Sequence, residues 1–95
     1  MGHIGYFRFS YTDEEEVRKI LVAAPFFSDF NREHDMYNYR RDETEDPGSM
    51  PNAYASLCPF GVEFCAFGDQ ELIATVSDYL LKLLKARFGD VKEEW

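Results

Sequence analysis

Two spacings of apolar residues alternate along the chain and divide it into elements before any motif is considered. From His3 to Tyr11 the pattern has the period of a strand, with Gly5, Phe7, Phe9 and Tyr11 on one face and Ile4, Tyr6, Arg8 and Ser10 on the other. Thr12 followed by Asp13, Glu14 and Glu15 has the form of a capping box, with Thr12 as N-cap and Glu15 reaching back, so a helix is predicted from residue 13. Val17, Ile20, Leu21 and Ala24 then fall on one helical stripe, and Pro25 disfavours helix at the residue before it. Phe26, Phe27 and Phe30 follow, too aromatic for a simple solvent loop, and are expected to close an edge of the core.

The strand period returns over Asp35 to Arg41, where Tyr37 and Tyr39 oppose Met36, Asn38 and Arg40, predicting a second strand with one wet face. Residues 42–52 (DETEDPGSMPN) concentrate acids, prolines and a glycine and read as a long mobile acidic loop. Beyond it an extended arm is expected to lead into a strand over residues 60–67, in which Phe60, Val62, Phe64 and Ala66 alternate with Gly61, Glu63, Cys65 and Phe67. Leu72, Ile73, Val76, Tyr79, Leu80, Leu83 and Leu84 trace a second helix, with Lys82, Lys85 and Arg87 suited to its C-terminal dipole and Gly89 to its stop. Residues 91–95 fit a short last strand or a loose tail. The order β-α-β-β-α, with or without a final β, predicts an α+β domain over residues 1–95. It is the pattern of a ferredoxin-like sandwich, one antiparallel sheet with two helices packed on one face.

Composition supports a folded core: the 95 residues are 45% hydrophobic and include nine Phe, six Tyr and one Trp, and each large aromatic buries roughly 150–250 Å². The apolar stretches are short and interrupted, so no membrane span is expected and the location predicted is cytoplasmic. Cys58 and Cys65, in a reducing compartment, read as two buried thiols, with a hairpin disulfide or a redox pair as the alternative.

Charge narrows the partners. Eighteen acids against ten bases give a formal charge of −8, which repels phosphate and anionic lipid and steers a basic protein surface toward this one. Direct nucleic-acid binding is therefore not expected, despite the tyrosines. No cofactor, metal or catalytic site is predicted either. His3 and His34 lack ligand-spaced partners, no glycine-rich phosphate cradle is present, and no serine or cysteine sits in a nucleophile context. The acids at 13–16 are accounted for by helix capping.

The segment left is Tyr37 to Asp46, where Tyr37, Tyr39, Arg40 and Arg41 lead into Asp42, Glu43, Glu45 and Asp46. Tyr and Arg anchor interfaces, and a neighbouring acidic rim attracts a basic partner. The functional expectation is a small acidic protein-protein interaction module. An inhibitor, as in an immunity or phage-encoded anti-defence protein that occupies the basic surface of a nucleic-acid-handling enzyme, would have this character. The alternative is a regulatory α+β domain that senses a small ligand or pairs edge to edge as a homodimer.

Overall fold

The computed structural model describes residues 3–41 and 51–94. Its elements, in chain order, are β1 (His3–Arg8), α1 (Glu14–Ala23), β2 (Phe27–Asn31), β3 (Met36–Tyr39), β4 (Ala53–Cys58), β5 (Gly61–Ala66), α2 (Gln70–Phe88) and β6 (Lys92–Glu94). The six strands form one sheet in the order β2-β3-β4-β5-β1-β6, with every neighbouring pair antiparallel. One antiparallel sheet with two helices is thus what the alternation predicted, but the sheet has six strands.

The additional strands are β2 and β4, and each has a physical reason for escaping the pattern. β2 carries a register shift between Phe27 and Asp29 against β3, so its aromatics do not keep a period of two. β4, expected as an extended arm, puts Ala53 and Ala55 at its inward positions, and small side chains leave little hydrophobic signal. The first helix begins one residue later than predicted. Asp13, not Thr12, is its N-cap, accepting from the Glu15 N–H at 3.0 Å.

Both helices pack on one face of the sheet. Val17 and Leu21 from α1, and Leu72, Val76, Leu80 and Leu84 from α2, join Phe7, Phe9, Tyr37, Tyr39, Ala53, Ala55, Val62 and Phe64 in one buried cluster. Ala24 ends α1 in an extended conformation ahead of Pro25, as the proline demands. Gly89 closes α2 with φ 86°, its N–H donating to the Lys85 carbonyl at 3.0 Å. At the β4–β5 turn Gly61 has φ 143°, and a Cβ there would lie 2.0 Å from the Phe7 carbonyl oxygen, so only glycine lets β5 approach β1. No helix among the described residues is long and apolar enough to cross a membrane.

Candidate functional site

The residues that flank the acidic segment, Arg40 and Arg41 after β3 and Asn52 before β4, are tied to one another and to the body. The Arg40 N–H donates to the Phe26 carbonyl at 2.9 Å, the Arg41 N–H to Asn52 Oδ1 at 3.1 Å, and the Asn52 N–H to the Tyr39 carbonyl at 3.0 Å. The Asn52 carbonyl in turn accepts from the N–H groups of Phe67 and Gly68. Asn52 therefore fastens both flanks to the start of α2.

Arg41 reinforces that junction. Its guanidinium pairs with Asp69, with Nη2 3.0 Å from Oδ1, lies 3.9 Å from Glu71, and covers the Phe26 ring at 5.1 Å. Asp69 is the N-cap of α2, in a left-handed conformation with φ 68°, and accepts from the Leu72 N–H at 3.1 Å. The hydrogen bond from Arg41, with that from Leu72 N–H second, holds the Asp69 carboxyl below its ordinary pKa.

Of the residues predicted for the interface, the structure separates the tyrosines from the arginine beside the acids. Tyr37 and Tyr39 are 3% and 0% exposed and belong to the core, which corrects their assignment as surface anchors. The alternation over β3 was real, but its tyrosine face meets the helices. Tyr39 Oη donates to the Leu21 carbonyl at 2.7 Å, and burial pushes its pKa far above the usual range. Tyr37 Oη accepts from Arg18 Nη1 at 2.9 Å. Arg40 is also buried, at 2% exposure, with Nε 3.8 Å from Asp29 Oδ1, so the face expected to be wet is sealed at this strand. Arg41 alone of the described group is open to solvent. Asp42, Glu43, Glu45 and Asp46 lie outside the described residues.

At the opposite end of the sheet is a grouping the sequence did not signal beyond the spacing of Glu14 and Arg18. Arg18 Nη1 donates to Asp35 Oδ1 at 2.8 Å, Nη2 reaches Asp35 Oδ2 at 3.4 Å, and Glu14 lies 3.6 Å away. These groups border an open cleft of about 340 Å³ with Tyr11, Leu57, Cys58 and Pro59. Tyr11 Oη donates to the Cys58 carbonyl at 2.8 Å. The hydrogen bonds that Arg18 donates to Asp35 and then to Tyr37 raise its pKa further. The arginine thus has its fork occupied by its own fold, and its visible task is to hold the turn before β3 against α1.

The two cysteines are free. Cys58 stands opposite Gly61 and Cys65 opposite Tyr54, so they are separated by four residue steps along the hairpin, roughly 13 Å at about 3.3 Å per step. That spacing excludes the hairpin disulfide, which needs Cα atoms within about 7 Å. Burial raises both thiol pKa values, which keeps them protonated and weakly nucleophilic at neutral pH. Among the described residues no three His, Cys, Asp or Glu side chains converge on a metal-sized site. No protein-family model, curated protein or solved structure is significantly similar to this chain.

Proposed function

We propose that this protein is a small acidic protein-protein interaction module that acts as an inhibitor by occupying the basic surface of a nucleic-acid-handling enzyme in the cytoplasm. The observation that carries the reading is the distribution of charge. Residues 42–50 hold four acids and no base, half of the formal −8, and the flanks of that segment are fastened to the body at Arg41 and Asn52. An enzyme that grips phosphate presents a basic cleft, and a compact polyanion competes for it by the same electrostatics. The burial of Tyr37 and Tyr39 moves the weight of the reading from aromatic anchors to charge. On the same footing we read β1-α1-β4-β5-α2-β6 as a ferredoxin-like sandwich, with β2 and β3 an insertion at its β4 edge.

The test is affinity capture from nuclease-treated native lysate, comparing wild type with a variant carrying Asp42→Lys, Glu43→Lys, Glu45→Lys and Asp46→Lys. The expected result is a discrete basic protein that wild type retains at low salt and loses at high salt, and that the variant binds at least about tenfold more weakly. Retention of the same proteins by both would overturn the reading.

A further inference from the structure

The two edges of the sheet are built differently. β6 is three residues long, reads Lys-Glu-Glu and is exposed throughout, which blunts it against pairing. β2 is five residues long and carries Phe27 and Phe30 with a single charge, Asp29. Among the described residues no strand covers its outer side. Phe30 packs on Tyr37 in a tilted arrangement with ring centroids 4.5 Å apart and is still 38% exposed.

The backbone of β2 shows which of its groups face outward. Along β3 the Tyr39 carbonyl is engaged by Asn52 on the β4 side, and the Arg40 N–H by Phe26 on the β2 side. Backbone groups alternate sides along a strand, so Met36 and Asn38 present theirs to β2. Their partners are Asn31 and Asp29. The N–H and C=O of Phe30, between those two, therefore point to the open edge.

We propose that the protein self-associates through β2, antiparallel about a two-fold axis at Phe30, to form a continuous sheet across two copies. A two-fold pairing of identical strands places one residue opposite itself and its neighbours in reciprocal pairs. Centred on Phe30, it lets Phe30 of each copy exchange both backbone hydrogen bonds with the other and brings the two exposed rings together. It also places Asp29 opposite Asn31 of the second copy. Asn31 Oδ1 is occupied by the His34 N–H at 3.2 Å, and its carboxamide nitrogen is a donor of the right sign for the Asp29 carboxylate. The neighbouring register, centred on Asp29, puts two carboxylates face to face and is disfavoured. Two chains of formal charge −8 repel at long range, and a single strand pair is a small contact, so the dimer is weak and tightens as salt rises. An electrostatically steered basic partner responds to salt in the opposite sense, so failure of this proposal and failure of the inhibitor reading are distinguishable.

The test is sedimentation equilibrium at high salt over a range of protein concentration, on wild type, Phe30→Pro and Asn31→Asp. Wild type is expected to shift from monomer to dimer. Phe30→Pro, which deletes the outward N–H and leaves the β3 ladder its donors, is expected to stay monomeric. Asn31→Asp keeps an acceptor for His34 and sets two like-charge pairs across the axis, so its dimer dissociation constant is expected to rise about tenfold. If Phe30→Pro unfolds, Phe30→Cys takes its place. Residues facing each other at the axis are within disulfide reach, so oxidation is expected to give a covalent dimer that wild type does not give. A wild type that stays monomeric at every concentration, a dimer indifferent to Asn31→Asp, or a Phe30→Cys variant that fails to cross-link would each overturn the proposal.

Discussion

The β4–β5 hairpin presents opposite chemistry on its two sides. Inward it shows Ala53, Ala55, Val62, Phe64 and Ala66, all buried, and outward Tyr54, Ser56, Glu63 and Cys65, of which only Cys65 is buried. Ala53, Ala55, Val62 and Phe64 share one buried cluster with residues of both helices, whereas no residue of the outer set belongs to it. The contrast separates two kinds of constraint. Inner positions are held by shape, because interiors are close-packed, whereas outer positions are held by individual polar contacts that solvent partly replaces. β3 and the residue that follows it depart from this rule, since the outward Asn38 and Arg40 are buried as well. There the carboxamide of Asn38 donates to Asp29 Oδ2 at 3.0 Å, with Arg40 Nε 3.8 Å from Oδ1, so a polar cluster takes the place of solvent.

The largest effect that would sharpen the contrast is expected at Phe64, fully buried with its ring packed near those of Phe7 and Tyr39. Phe64→Ala should cost about 3–5 kcal/mol of unfolding free energy in urea titration. Its outward neighbour substituted as Glu63→Ala should change stability by less than about 0.5 kcal/mol. Equal losses at the two positions would mean that the outer face is as tightly packed as the inner one.

A smaller loss is expected on the same inner face at Tyr39→Phe. The ring volume is kept, but the Leu21 carbonyl that accepts from Tyr39 Oη at 2.7 Å loses its side-chain donor inside the core. A loss of about 1–3 kcal/mol is expected from thermal or urea unfolding, the range for leaving a buried polar group without its partner. A neutral substitution would mean that this hydroxyl only fills space.

What the sequence makes legible follows the same division. The stripes Val17, Leu21 and Leu72, Val76, Leu80, Leu84 are readable because helix periodicity and burial coincide there. Phe7 and Phe9, or Val62 and Phe64, are readable for the same reason at the strand period. β2 is hidden by its bulge and β4 by its alanines, and both faults concern how much apolar signal an inward position carries. The place of the two β3 tyrosines is hidden for another reason. Alternation reports that Tyr37 and Tyr39 share a side, but not which side meets the helices, and aromatic residues suit either. The clamp of Arg18 on Asp35 joins residues from α1 and the turn before β3, a juxtaposition that only the tertiary fold produces.

The smallest effect is on the outer face and is read by pH. Tyr54 lies across from Cys65 in the β4–β5 register, near the Phe67 ring at 5.7 Å. Its hydroxyl is pushed up to about 12, chiefly by its hydrogen bond with Cys65 and then by burial. A tyrosine whose pKa is higher folded than unfolded keeps its full contribution to stability below about 10, the value in the unfolded chain. That contribution is lost as pH rises from about 10 through the folded value near 12, because the unfolded state releases the proton first. Two measurements follow. In the tyrosinate absorbance of the folded protein, Tyr54→Phe should remove a late-titrating hydroxyl and leave the earlier part of the curve in place. In urea unfolding over the same alkaline window, Tyr54→Phe should decline less steeply with pH than wild type, while the two keep a constant difference at neutral pH. If Tyr54→Phe instead removes a group that titrates near 10, the Cys65 contact does not hold the hydroxyl, and the outer face is solvated where the inner face is sealed.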